Sequence, residues 1–265
     1  MGVMNMKIAI SQFDMSFEDI ETNKKEVKDI IKVAKLNHAD LIVFPEMTLT
    51  GFTMKCKEMY DESIDDFFKE LSQKYFIKII YGAISKKNDL YYNSLIAVDG
   101  QKELLRYDKI HPFLKERNYY HCGNEIPYCN INGYNISGFV CYDLRFPEIF
   151  QLASKNSDMI VVIASWPKER DEHWITLLKA RAIENQCYVL GVNRVGHDPN
   201  ESYVGHSVLF DPWGMQVNEM SEQEGLIYVY MEHTLVDHVR KNRNLKNGRR
   251  EELYYKLMKE YNDKL

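Results

Sequence analysis

Short apolar runs alternate with amphipathic stretches along nearly the whole chain. Lys7–Gln12 reads as a first strand. In Glu18–Asn37 the residues Ile20, Val27, Ile30, Ile31 and Ala34 recur at helical spacing, which predicts an amphipathic helix. Leu41–Phe44 is a short buried-type strand stopped by Pro45, and Asp61–Tyr75 predicts a second helix with Ile64, Phe67, Phe68 and Leu71 on one side. Ile77–Ala83 and Tyr92–Val98 predict strands, separated by the polar turn Lys86-Lys87-Asn88-Asp89 and followed by Asp99-Gly100.

The second half repeats the style. Ile136–Cys141 predicts a strand, Pro147–Lys155 a helix with proline in its first turn, and Met159–Ala164 a strand. Glu172–Asn185 predicts a helix, and Tyr188–Asn193, Ser207–Phe210 and Leu226–Tyr230 predict strands. The tail from Glu232 is heavily charged and reads as helical in part. No linker or low-complexity segment divides the chain. Helix-bearing halves around central sheets predict a layered α/β sandwich, one domain over residues 1–265.

Composition narrows the function. At 265 residues with 45% hydrophobic content the chain can bury a large core. Its 34 basic and 39 acidic residues give a net charge of −5, which argues against nucleic acid as the main partner. The longest apolar run, Met159–Ala164, is far too short to span a bilayer. The N-terminus lacks a basic-then-apolar signal pattern, so a cytoplasmic enzyme with no membrane partner is expected. The five cysteines are scattered and odd in number, with no Cys-x-x-Cys, and no His-Glu-x-x-His occurs, so neither a disulfide framework nor a metal site is expected.

Chemistry concentrates in three runs. Cys141 ends an apolar strand and precedes a turn into a helix, where a thiol can be pushed out of the sheet and a helix dipole favours a thiolate. The other four cysteines, Cys56, Cys122, Cys129 and Cys187, lack this setting and read as structural. Glu46 directly follows Val43-Phe44-Pro45, where a carboxylate is costly unless it is paired or used. Lys109 sits between Asp108 and Ile110; most lysines there are solvated, and the functional alternative is a fixed charge beside an oxyanion. A carboxylate, an ammonium and a thiol are the parts needed to cleave an amide through a thioester. Glu116 looks locally like part of a polar surface loop, and His111, His173 and His206 read as supports rather than bases. Sequence separation leaves a Cys-His arrangement open, although the papain-type signature around the cysteine is absent.

Glu46, Lys109 and Cys141, in that order and context, resemble the carbon–nitrogen hydrolase (nitrilase) superfamily from Met6 to Tyr255. The matching runs are Phe44-Pro45-Glu46-Met47 with Thr50-Gly51-Phe52, Tyr107-Asp108-Lys109-Ile110-His111, and Cys141-Tyr142-Asp143-Leu144-Arg145-Phe146-Pro147-Glu148. Further matches are Ala164-Ser165-Trp166-Pro167, Lys179-Ala180-Arg181-Ala182-Ile183-Glu184-Asn185-Gln186, Gly191-Val192-Asn193-Arg194-Val195-Gly196 and Gly205-His206-Ser207. The resemblance implies a four-layer α-β-β-α sandwich. It implies that Glu46 is the base, Lys109 the stabiliser of the tetrahedral intermediate, Cys141 the nucleophile and Glu116 a second, substrate-positioning glutamate. It implies no cofactor, and a homodimer or higher homo-oligomer in which a tail such as Val236–Leu265 reaches over the partner.

Within the superfamily these runs look most like the bacterial omega-amidase branch, which hydrolyses the terminal amide of 2-oxoglutaramate or 2-oxosuccinamate. Pro112 departs from the Leu often found there, and Cys141-Tyr142-Asp143 differs from the Cys-Trp-Glu of nitrilases proper. Phe113, Tyr142 and Trp166 are candidates to wall a substrate pocket. Arg145, Arg170 and Arg194 are candidates to hold a distal carboxylate, with Arg145 read rather as an ion-pair partner of Asp143 or Glu148. Hydrolysis of N-carbamoyl amino acids or aliphatic amides on the same scaffold, and a non-catalytic binding protein, are the alternatives.

Overall fold

A computed structural model describes residues 5–232 and 234–262. In chain order the first half holds β1 (Met6–Gln12), α1 (Ile20–Leu36), β2 (Leu41–Val43), α2 (Cys56–Met59), α3 (Ser63–Tyr75), β3 (Lys78–Lys87), β4 (Leu90–Asp99) and β5 (Lys102–Asp108). The second half holds β6 (Tyr128–Ile131), β7 (Tyr134–Val140), α4 (Pro147–Ala153), β8 (Met159–Ala164), α5 (Asp171–Asn185) and β9 (Tyr188–Asn193). It continues through β10 (Val195–His197), β11 (Ser202–Val204), β12 (Val208–Phe210), β13 (Gly225–Met231), α6 (Leu235–Asn242) and α7 (Glu251–Asn262). Among the described residues no helix is long and apolar enough to cross a membrane.

A six-stranded sheet in the order β13-β1-β2-β3-β4-β5 faces a five-stranded sheet in the order β12-β9-β8-β7-β6, and β10 and β11 form a separate hairpin. Strand alternation assigns the faces. Ile8, Ile10, Val43, Ile80 and Leu95 join Ile136, Val140, Val161 and Ile163 in the core between the sheets. The intervening Ala9, Ile42, Ile79 and Ile96 pack against Val27 and Ile31 of α1 and Ile64 and Phe68 of α3. On the far side, Trp174 and Leu178 of α5 close over β9, where a Cβ on Gly191 would lie 2.3 Å from Leu178. The result is the expected four-layer α-β-β-α sandwich. Between the sheets a Cβ on Gly138 would lie 2.6 Å from Leu95 Cδ1, so the bare glycine lets β7 approach β4.

Local chemistry explains the element limits. Asp19 caps α1 by accepting from Thr22 N at 3.0 Å, and Phe76 ends α3 in the left-handed region at φ 50°. β3 and β4 run on to a two-residue turn at Asn88 and Asp89, whose φ values of 48° and 63° suit their side chains, so both strands extend past the predicted limits. The unpredicted strand β5 is an edge. Its inward Leu105 and Tyr107 are buried, while outward Arg106 pairs with Glu103 and Asp65, so its charged sequence hides a one-sided strand. β6, β10 and β11 were also unpredicted, each too short to show a period.

Cys141 does not end the strand as expected. β7 stops at Val140, and Cys141 opens a 3-10 turn (Cys141–Arg145) at φ 49°. The helix that follows starts only at Pro147.

Candidate active site

The candidate residues sit at chain segments that leave the strands at one end of the sandwich. Glu46 lies just past β2, in a turn laid flat on β3. Thr48 N donates to Gly82 O at 2.9 Å, Gly82 N donates to Thr48 Oγ1 at 3.1 Å, and a Cβ on Gly82 would lie only 2.4 Å from Met47 N. Met47 itself is left-handed at φ 47°. Lys109 follows β5 directly, its N–H donating to Asn93 O at 2.8 Å. Glu116 lies in a 3-10 turn, Leu114–Asn118, and accepts from Phe113 N at 2.7 Å.

These side chains converge. Lys109 Nζ donates to Glu46 Oε1 at 3.0 Å and to Glu116 Oε2 at 2.8 Å, with all three side chains at 0% exposure. Glu116 therefore is not the surface residue its local sequence suggests. Asn93 Nδ2 donates to both carboxylates, at 2.7 Å to Glu46 and 2.8 Å to Glu116. Ser165 links this cluster to the thiol: its N–H donates to Glu46 Oε2 at 2.8 Å, and its carbonyl accepts from Cys141 Sγ across 3.9 Å. Asn93 and Ser165 escaped sequence reasoning. A polar residue inside the apolar run Tyr92–Val98 was the signal for the first; for the second, the only signal was its place in the run Ala164-Ser165-Trp166-Pro167 that carries the resemblance.

Electrostatics sets the protonation states. Burial works against the charge on Lys109, but the carboxylates of Glu116 and Glu46 outweigh it and hold the ammonium well above its ordinary range. Burial pushes the Glu116 carboxyl up even though Lys109 opposes the shift. Burial, reinforced by Glu46 and only partly offset by Lys109, holds the Cys141 thiol well above its ordinary value. The expected dipole-stabilised thiolate is thus corrected: α4 begins too far downstream, and burial with Glu46 nearby keeps the proton on the thiol to well above its ordinary range.

A cavity opens over Cys141, lined by Phe113, Tyr142, Trp166, Arg145 and Arg170. All three aromatic candidates therefore wall it, with the Phe113 and Tyr142 rings 5.0 Å apart and edge-on. Arg145 makes no ion pair with Asp143 or Glu148 among the described residues; its guanidinium lies 4.8 Å over the Trp166 ring, beside His173. The reason is that Asp143 is buried and taken by Tyr107 and His111. Arg170 faces Glu201 across 3.6 Å. Arg194 is buried and turned elsewhere, donating to Asp14 Oδ1 at 3.2 Å and to the carbonyls of Met15, Val195 and His197, so it does not line the cavity over Cys141. Of the three histidines, His206 pairs with Asp171 at 2.8 Å, His111 with Asp143 at 2.8 Å, and His173 meets Arg145 at 3.4 Å. Of the cysteines read as structural, Cys56, Cys129 and Cys187 are buried, but Cys122 is exposed.

This arrangement can pass a proton from thiol to Glu46 and hold negative charge beside Lys109. The sequence is 35% identical over 233 residues to a 2-oxoglutaramate amidase of Bacillus subtilis (strain 168), covering 84% of this chain and 90% of that protein. It is 35% identical over 215 residues to the omega-amidase YafV of Yersinia enterocolitica, covering 79% and 82%. The crystal structure of XC1258 from Xanthomonas campestris, a CN-hydrolase superfamily protein with an arsenic adduct in its active site, superposes with a TM-score of 0.84 at 26% identity, covering 90% of this chain and 95% of that one. Residues 7–241 match the carbon-nitrogen hydrolase family, and with those relatives the match establishes that this chain belongs to it.

Proposed function

We propose that the protein is an omega-amidase, hydrolysing the terminal amide of a 2-oxo diacid monoamide such as 2-oxoglutaramate or 2-oxosuccinamate to the 2-oxo acid and ammonia. Glu46 accepts the Cys141 proton as the sulfur attacks the amide carbon. Lys109 Nζ and the N–H of Tyr142 stabilise the oxyanion. Glu46 returns the proton to the departing ammonia, a thioester remains on Cys141, and water activated by Glu46 releases the acid. Glu116 keeps Lys109 oriented and borders the amide.

The observation that carries the substrate reading is Arg145. It lines the same cavity as Cys141 with no carboxylate partner among the described residues, so a distal substrate carboxylate would satisfy it. Phe113, Tyr142 and Trp166 would enclose the carbon chain. The names of the relatives above support the same substrate class. The enzyme is a cytoplasmic homodimer or higher oligomer built from a single domain. Supporting the oligomer, α7 leaves Tyr255, Leu257 and Met258 exposed on the tail, while α6 is held to its own subunit by buried Val236 and Val239. The last three residues of that tail lie outside the described residues.

The test is ammonia release by the purified protein from the two 2-oxo amides, run beside an aliphatic amide and N-carbamoyl-β-alanine. Release confined to the 2-oxo amides is expected. Release from the ureido compound or the plain amide alone would move the assignment to another amidase chemistry, and failure of a substrate-like electrophile to label Cys141 selectively would favour a non-catalytic binding protein.

A further inference from the structure

Lys109 and Cys141 belong to separate chain segments, and one carboxylate fastens both. Asp143 is fully buried and does not line the cavity. Its Oδ2 accepts from Val140 N at 3.1 Å, clamping the elbow immediately before Cys141. The same oxygen accepts from Tyr107 Oη–H at 2.8 Å, and its Oδ1 accepts from His111 N at 3.0 Å and His111 Nδ1 at 2.8 Å. Tyr107 and His111 flank Lys109 on either side in sequence. Tyr107 Oη also accepts from Ile110 N at 3.1 Å, so the Lys109 segment is gripped before and after the lysine. The His111 ring then stacks on Phe146 at 3.7 Å, and Phe146 meets the edge of Tyr142 at 5.3 Å.

We infer that Asp143 is a positioning residue that sets the distance between the Cys141 sulfur and the Lys109 ammonium by holding both segments on a single carboxylate. This rests on the proposed roles of Cys141 and Lys109. Two physical needs make the device necessary. Cys141 occupies a left-handed backbone conformation, which persists only when neighbouring bonds over-determine it, and the Val140 N–H bond does so from the elbow's own side chain. An oxyanion partner must also sit at the charge as it develops, and a misplacement of about 1 Å costs on the order of a hundredfold in rate. With two donors on each of its oxygens, Asp143 leaves no room for an amide: in either orientation two of the four, one of them a backbone N–H, would face an NH2 in place of an acceptor.

The experiment uses full-length Asp143→Asn, Tyr107→Phe and the double variant, with folding verified by circular dichroism and all rates taken well below each melting temperature. Read out are kcat and KM on 2-oxoglutaramate, and the rate of Cys141 alkylation by iodoacetamide. Asp143→Asn is expected to lower kcat by roughly a hundredfold with KM nearly constant. Tyr107→Phe, the milder variant should Asp143→Asn not fold, is expected to lower kcat by roughly tenfold, and the double variant to lose no more than Asp143→Asn alone. Alkylation should slow in parallel. An unchanged kcat in the folded variants, a loss carried by KM, or independent multiplying losses in the double variant would overturn the inference. A wild type that releases no ammonia sinks the substrate reading alone, because the alkylation rates still decide this one: equal rates in wild type and variants overturn it.

Discussion

Lys109 Nζ stands 3.0 Å from Glu46 Oε1, with neither side chain exposed to water. Burying charges is costly, and it is tolerable here because Lys109 also bonds Glu116, while Asn93 and Ser165 N–H groups cover the carboxylate oxygens. Lys109→Met should therefore do more than stop turnover. It strands two carboxylates in the interior, and a loss of about 3–5 kcal/mol in urea unfolding is expected. A variant as stable as wild type would show that the cluster is not electrostatically coupled as described.

The raised Cys141 thiol has a definite pH consequence. Burial, then Glu46, keep the proton on sulfur, so at neutral pH alkylation in the absence of substrate should be slow and should climb only as pH rises beyond the ordinary thiol range near 9. The folded state holds this proton more tightly than the unfolded chain. The contribution to stability is thus complete below the unfolded thiol value and is lost as pH rises toward the folded one. Comparing wild type with Cys141→Ala in alkaline unfolding series isolates that slope. A thiolate signature at pH 7 would contradict it.

Glu46→Gln keeps the Asn93 contact geometry but removes the base for a thiol that needs one. A fall in kcat of roughly 10²–10⁴ is expected, with the protein still folded. Equal turnover in steady-state assays would reassign the base.

Arg145→Met should raise KM for 2-oxoglutaramate by roughly 10–100-fold, the worth of a hydrogen bond to a charged group, while sparing a simple aliphatic amide that has no carboxylate. Equal effects on both substrates would mean that Arg145 holds the Trp166 wall rather than the substrate.

Gly82→Ala puts a methyl carbon about where Met47 N and the Glu46 backbone already lie, at 2.4 and 2.8 Å. The turn must move, so a kcat loss together with a destabilisation of about 1–3 kcal/mol is expected from activity and thermal melting.

Much of this was legible before any coordinates. The 3.6-residue period of Glu18–Asn37 and the apolar runs Leu41–Phe44 and Met159–Ala164 report burial directly, and burial is what sheets and their covering helices share. Glu46, Lys109 and Cys141 stood out because charges and a thiol beside buried strands demand a reason. Glu116 was legible only through resemblance, since Phe113-Leu114-Lys115-Glu116-Arg117 is locally polar and its partners, Lys109 seven residues back and Asn93 on β4, are set by tertiary packing. The placements of Asn93 and of Arg145 over Trp166 were hidden for the same reason: partner choice is tertiary. Edge strand β5 was masked by charges that face outward.

The most direct test compares ammonia release from 2-oxoglutaramate by wild type and by Cys141→Ala, both confirmed folded. Release by the wild type with none above blank from the variant is expected. Retained release by folded Cys141→Ala would contradict nucleophilic catalysis at this cysteine and the thioester route with it.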